Sequence, residues 1–166
     1  MHRLQKSMDA ETFTAEVVRY QTVWFRTARA ILSNDQDAED AVQEAICAAF
    51  ASRSSLRDVT KFKSWMLRIL TNQCYDLCRK RRPAVELGEV ADVLPAKDGD
   101  PAEKLTLWQA VLSLKQEQRA VITLFYYDGL SVREISQALH ISESAVKTRL
   151  FRGRNALYER LQESEE

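Results

Sequence analysis

The stretch Gly129-Leu-Ser-Val-Arg-Glu-Ile-Ser-Gln-Ala-Leu-His-Ile-Ser-Glu-Ser-Ala-Val-Lys-Thr-Arg-Leu-Phe-Arg-Gly-Arg154 decides how the C-terminal part of this chain folds. Gly129 suits the position after a helix, because it enters left-handed backbone without steric cost. Ser131 and Glu134 have the spacing of a capping box, which restarts the chain as a helix. Val132, Ile135 and Leu139 give that helix a buried stripe. Past a turn at His140 and Ile141, Ser142 caps a second helix packed through Val146, Leu150 and Leu157. Lys147, Thr148, Arg149 and Arg152 are expected on its far side. This is how a helix-turn-helix offers a recognition helix to the DNA major groove. A plain helical hairpin with a solvated basic face is the alternative that the segment leaves open.

Working outward, all three prolines (Pro83, Pro95, Pro101) and two of the four glycines (Gly88, Gly99) lie between 83 and 101. That stretch has no sustained period, so it reads as a linker, extended or irregular. It divides the chain into a module at 1–82, an acidic tether at 83–101 and a module at 102–166. Both modules carry helical periodicity and neither shows a useful β-pattern, which predicts an all-α fold. In the first, Phe13, Val17, Tyr20, Trp24, Ala28 and Ile31 mark one amphipathic helix. A second helix runs from about Asp35 to Ala51, and a third from roughly Lys61 to Lys80, with Phe62, Met66, Ile69 and Leu70 inward. In the second module, Asp100-Pro101 with Glu103 makes a helix start. A further helix is expected near Gln116 to Tyr127.

The chain has 24 Lys and Arg against 24 Asp and Glu, a net charge of zero. The charges are segregated, however. Residues 1–82 carry 14 cations and 10 acids, and residues 83–101 carry one lysine and five acids. In 102–166 nine cations meet nine acids, and five of those cations cluster between 147 and 160. Overall neutrality therefore says little about DNA. No apolar run reaches the roughly 18 residues of a membrane span, and the N-terminus lacks a signal-peptide segment, so a cytoplasmic protein is expected. Cys47, Cys74 and Cys78 have no zinc-finger spacing. Cys74 and Cys78, one helical turn apart, read as buried small hydrophobes, because no histidine completes a metal site. No cofactor, metal or small-molecule substrate is expected. Without a phosphate-cradling glycine loop or a catalytic partner for either histidine, neither is an enzyme.

Two faces carry the remaining chemistry. Lys61, Ser64, Arg68, Asn72, Tyr75, Arg79 and Arg82 recur every three or four residues along the third helix. Cations, an amide and an aromatic on one stripe suit a single-stranded or distorted nucleic acid, with arginines on phosphates and Asn and Tyr on unpaired bases. A solvated face ending in a dipole-stabilising basic cluster reads the same residues without function. On the second helix, Asp37 and Glu39 satisfy the helix dipole. Asp40, Gln43, Glu44 and Cys47 continue outward past that turn, as an acidic ridge able to dock on a basic protein helix.

Together these segments resemble the sigma-70 family. Asp37-Ala-Glu-Asp-Ala-Val-Gln-Glu44, Phe62-Lys-Ser-Trp-Met-Leu-Arg-Ile69, then Asn72 and Asp76 ahead of Arg79-Lys-Arg-Arg82, look like region 2 of its short, extracytoplasmic-function (group 4) members. Ser131 to Arg154 looks like their region 4. The resemblance covers about residues 10–162, in order. It implies an alternative sigma factor serving stress responses, with core RNA polymerase and promoter DNA as partners. Asp37, Asp40, Gln43 and Glu44 would dock on the clamp helices of the β′ subunit, and region 4 would meet the β flap. Lys61, Trp65, Arg68, Asn72, Tyr75, Arg79 and Arg82 would hold the −10 element as its strands separate. Trp65 stands either in the core or at the fork of the melted duplex. The Ser52–Thr60 loop would shape a pocket for a flipped base. Lys147, Thr148, Phe151 and Arg152 would read the −35 element. Arg149 and Arg154 would hold phosphates, joined by amides around Ser142 and Ser144. The acidic tether would thread toward the RNA path. Such factors are commonly silenced by an anti-sigma factor, often membrane-anchored.

Two residues depart from the family pattern. Gly153 stands where a helix former is usual, at about 0.5–1 kcal/mol, and would loosen the recognition helix. The Cys74/Cys78 pair has no counterpart. A decoy for an anti-sigma factor would have no use for Lys147, Arg149 and Arg152. An autonomous repressor would leave the acidic ridge and the Lys61–Arg82 face unexplained.

Overall fold

The computed structural model describes residues 7–81 and 106–165. Among them are eight α-helices and no strand, as the periodicity predicts. The tether, the helix start at Asp100-Pro101 and Arg82 lie outside the described residues. The first body holds α1 (Ala10–Arg19), α2 (Gln21–Ile31), α3 (Asp35–Ala51) and α4 (Phe62–Arg81). The second holds α5 (Leu107–Leu112), α6 (Gln116–Ile122), α7 (Val132–Leu139) and α8 (Glu143–Glu163).

The single helix expected across Phe13–Ile31 is two helices, broken at Tyr20 (φ −106°, ψ 22°). The stripe survives because the break takes only one residue. Trp24 is 1% exposed, and its indole N–H donates to the Val17 carbonyl at 3.0 Å, bridging the break. Asp9 and Asn34 cap α1 and α3 with their side chains, each removing one of the unpaired amides of a helix start. Phe62 lies at the centre of an aromatic group, edge-on to Phe13 and Trp24.

In the second body, Thr106 and Gln109 form a capping box that starts α5. The helix expected from Gln116 to Tyr127 is α-helical only to Ile122. A π-helical turn comes next, over Thr123–Tyr127, and closes with Asp128 N–H on the Thr123 carbonyl at 3.0 Å. One extra residue in a turn rotates the downstream chain by roughly 100°. Gly129 has φ +74° and His140 φ 56°, both left-handed, so each acts as the helix stop its position suggests. The Ser131–Glu134 capping box and the Ser142 cap are both formed.

Gly153 corrects an expectation. It does not loosen α8, which runs unbroken to Glu163. A β-carbon there would stand 2.9 Å from Cγ1 of buried Ile122, so glycine is what lets α8 lie close on α6. Cys74 is buried and its thiol pKa is pushed up by that burial, as suits a packing residue.

The two bodies share one apolar core. α2 packs on α6 and the π-turn, and α4 packs on α7. Their seam is polar as well. Arg119 donates from Nε to the Ala30 carbonyl at 2.7 Å, and Gln116 donates to the Ile31 carbonyl at 2.8 Å.

Candidate nucleic-acid and protein interfaces

On α8 the outward face carries Lys147, Thr148, Phe151 and Arg152, all exposed, with Phe151 at 60%. An exposed phenylalanine beside cations suits contact with base edges and methyl groups. Ser142 and Ser144 are exposed at the N-terminus of this 21-residue helix, where amides point outward and favour phosphate. The Thr148 hydroxyl donates back to the Ser144 carbonyl at 3.0 Å. Arg154 is exposed and reaches the Tyr126 hydroxyl at 3.1 Å. Arg149 departs from the far side expected of it. It is half-buried, near Glu117, and its charge is felt by Tyr75. The 100° step per residue explains this, because Arg149 precedes core Leu150 and lies three residues beyond core Val146.

Arg68, Asn72 and Arg79 of α4 are exposed along the expected stripe, and so is Lys61, which ends the 3₁₀ turn just before the helix. Arg79 pairs with Asp76. Trp65 is half-buried against Phe62, with ring centroids 5.8 Å apart, so it belongs to the core edge and keeps one side open. Tyr75 is largely covered, and burial pushes its phenol up to about 12. A cleft of about 620 Å³ lies between this stripe and the second body, lined by Asn72, Tyr75, Arg79, Glu117, His140 and Arg149. The His140 ring and the Asn72 side chain meet across it. Asn72, Tyr75 and Arg79 of the α4 stripe therefore border the Arg149 side of α8, and not its outward Lys147–Arg152 row.

The Ser52–Thr60 loop is built from two short 3₁₀ turns, Arg53–Ser55 and Val59–Lys61. Asp58 caps the second, and its hydrogen bonds from Thr60 hold its carboxyl below the usual range. A smaller cleft beside the loop, about 450 Å³, is lined by Met8, Asp9, Ala51, Arg53 and Ser54.

On α3, Gln43 and Glu44 are exposed and Asp40 half-exposed, accepting from Gln36 at 3.1 Å. Asp37 differs from them. It is 6% exposed, accepts from Asn34, and pairs with Arg81 at 2.7 Å. Its charge ties the basic end of α4 to the start of α3.

One polar cluster joins α2 and α4 to the turn before Gly129. Asp128, 2% exposed, accepts from Thr27 Oγ1 at 2.5 Å and Arg26 at 3.0 Å, and Lys63 donates to its backbone carbonyl at 2.5 Å. Burial raises the Asp128 pKa, against the pull of Thr27, Arg26 and Lys63. Arg26 and Thr27 interrupt an apolar helix stripe, which was the available signal. Asp128, one residue before Gly129, gave none.

With this geometry in hand, comparison with known proteins is specific. The family signature "Sigma-70 region 2" matches residues 17–84, and "Sigma-70, region 4" matches 104–157. The chain is similar to the ECF RNA polymerase sigma factor SigW of Bacillus subtilis, 33% identical over 95% of this chain and 93% of that one. It is similar to the ECF RNA polymerase sigma-E factor of Escherichia coli, 31% identical over 98% and 92%. Among solved structures it is similar to the sigma factor RpoE of Bartonella quintana, crystallised with the anti-sigma factor NepR. The TM-score is 0.71 at 27% identity, covering 92% of this chain and 98% of that one. CnrH in complex with the cytosolic domain of CnrY gives 0.63 at 26%, covering 94% and 91%.

Proposed function

The chain belongs to the sigma-70 family, in its extracytoplasmic-function branch, and is an alternative sigma factor that directs RNA polymerase to promoters. On that premise we propose a division of labour among its residues. Lys147, Phe151 and Arg152 read the −35 element from the major groove, Thr148 adds a methyl contact, and Arg154 with the Ser142–Ser144 amides holds phosphates. Arg149 joins them once it leaves Glu117. Lys61, Arg68, Asn72, Tyr75, Arg79 and Arg82 hold the separated −10 strands, with Trp65 at the edge of the fork. The small cleft beside the 3₁₀ loop takes a base out of the stack. Asp40, Gln43 and Glu44 dock on the clamp helices of β′, while Asp37 holds α3 and α4 in register beneath them.

The observation that carries this reading is the exposed row Lys147–Phe151–Arg152 on a capped helix whose opposite side is core. The chain supplies contacts and no catalysis of its own, working in the cytoplasm beside polymerase. Its structural likeness across both modules to a sigma factor solved with an anti-sigma factor supports regulation by such a partner. Hydroxyl-radical footprinting of reconstituted holoenzyme tests the division of labour. Alanine at Lys147 and Arg152 should remove protection around −35 first, and alanine at Asn72 and Tyr75 should remove it around −10. Loss in the opposite order would refute the assignment.

A further inference from the structure

The geometry points to Tyr126 as the second half of a phosphate site at the −35 element: its hydroxyl and the Arg154 guanidinium form a paired clamp for one DNA phosphate at the edge of the major groove. This rests on the −35 assignment above, which gives Arg154 a phosphate, and adds a residue that assignment does not contain. Tyr126 belongs to the π-turn, Thr123–Tyr127, that follows α6. Three aromatic residues in a row leave that turn in different directions. Tyr127 packs inward, with its ring centroid 5.2 Å from that of Trp108 and 5.1 Å from the Arg26 guanidinium. Phe125 is half-buried. Tyr126 is 53% exposed, and its hydroxyl accepts from Arg154 Nη1 of α8 at 3.1 Å. The Phe125 ring meets it edge-on, with centroids 4.9 Å apart, which fixes where the hydroxyl stands.

Water competes for a bond between two exposed side chains, so this one adds little to folding. Its use lies in what it leaves free. Tyr126 accepts from Arg154, so its own O–H stays available as a donor, and no described residue takes it. Arg154 has further N–H donors to give. The two side chains thus present donors and a positive charge on one exposed spot. A phosphate suits both, because its oxygens accept and carry the opposite charge. The position agrees. Arg154 follows Lys147 by seven residues and Phe151 by three, so it shares their face of α8. It stands about 10 Å beyond Lys147 along the axis. The major groove is about 12 Å wide, so with Lys147 over the bases, Arg154 reaches the groove wall, where the phosphates run. An arginine loses much of its rotamer freedom on a phosphate. Tyr126 has taken part of that loss already in the free protein, which strengthens the contact on binding.

The test is binding of reconstituted holoenzyme to promoters of varied −35 sequence over a salt series, with Tyr126→Phe, Arg154→Ala and the double variant. Tyr126→Phe keeps the ring and its contact with Phe125 and removes only the hydroxyl. It should weaken every −35 sequence alike, by roughly three- to tenfold. The salt slope should not change, because the phenol is neutral, and neither should the thermal midpoint. Arg154→Ala should weaken binding and also lower the salt slope by about one. Y126F/R154A should lose less than the product of the two single losses, because the clamp acts as a pair. Full affinity in Y126F beside a weakened R154A would overturn the clamp and leave Arg154 on its phosphate. Single losses that multiply would also overturn it, by making the two contacts independent. An R154A variant as tight as wild type would take Arg154 off the phosphate and end both assignments.

Discussion

The His140 imidazole nitrogen Nε2 lies 3.1 Å from the Asn72 side-chain oxygen, joining the turn between α7 and α8 to the outward stripe of α4. Both residues are exposed, so water competes for this bond, and a neutral hydrogen bond nets only about 0.5–1.5 kcal/mol. The contact is easily broken, leaving Asn72 available. Asn72→Ala should reduce permanganate reactivity of thymines in the −10 region of the holoenzyme complex. His140→Ala should leave it unchanged. Equal losses in both variants would mean that Asn72 serves the seam and not the DNA.

Lys147 and Arg152 face outward beside Phe151. Replacing either cation by alanine should cost about 1–3 kcal/mol of discrimination at one −35 position. Arg154→Ala should instead weaken all −35 sequences alike and flatten the salt dependence. Competition binding of holoenzyme over a −35 library separates the two. A sequence-independent loss on Lys147→Ala would move Lys147 to the phosphate backbone.

Charge reversal at Asp40 and Glu44 should abolish co-purification with core polymerase without lowering the thermal midpoint, because neither side chain is buried. Asp37→Ala should do the reverse. It strands Arg81 and removes a cap partner, so it should lower stability by about 1–3 kcal/mol. Polymerase binding that survives the reversal would remove the ridge from the interface.

Tyr75 offers a spectroscopic report of the seam between the two bodies. Its phenol, ordinarily near 10, is pushed up to about 12, first by burial, against the favourable field of Arg149. The folded chain therefore prefers the neutral phenol. That preference stabilises the fold fully below about pH 10 and disappears as pH rises through about 12. The difference in phenolate absorbance between wild type and Tyr75→Phe should titrate near 12 in the folded chain, and nearer 10 in urea. A wild-type titration near 10 would place Tyr75 in water.

Gly153→Ala should destabilise the protein although alanine is the better helix former by about 1 kcal/mol. The added methyl meets Ile122 at 2.9 Å, and overpacking a filled core costs about 1–3 kcal/mol. A lower urea midpoint supports this, and a higher one would show that α8 can slide on α6.

Local signals made much of this molecule legible. The capping box at Ser131–Glu134, the caps at Ser142 and Gly129, and the stripes of α3 and α4 are short-range devices, and each stands where its residues indicate. The break at Tyr20 was hidden because a one-residue interruption leaves the apolar period nearly in phase. The π-turn was hidden because five residues, TLFYY, satisfy either helix. Gly153 misled for a different reason: helix propensity is a property of one element, whereas its close approach to Ile122 belongs to two. Asp128 and its socket lie about a hundred residues apart in sequence, and a composition-based division into modules separates them.

Run-off transcription with purified core polymerase over a library of upstream sequences asks whether this chain confers promoter choice. Transcripts should appear only when this chain is added, from templates sharing one −10 and one −35 sequence, and should vanish with the Asp40/Glu44 reversal. Transcripts identical to those of core polymerase alone, under conditions where the chain is folded, would contradict it.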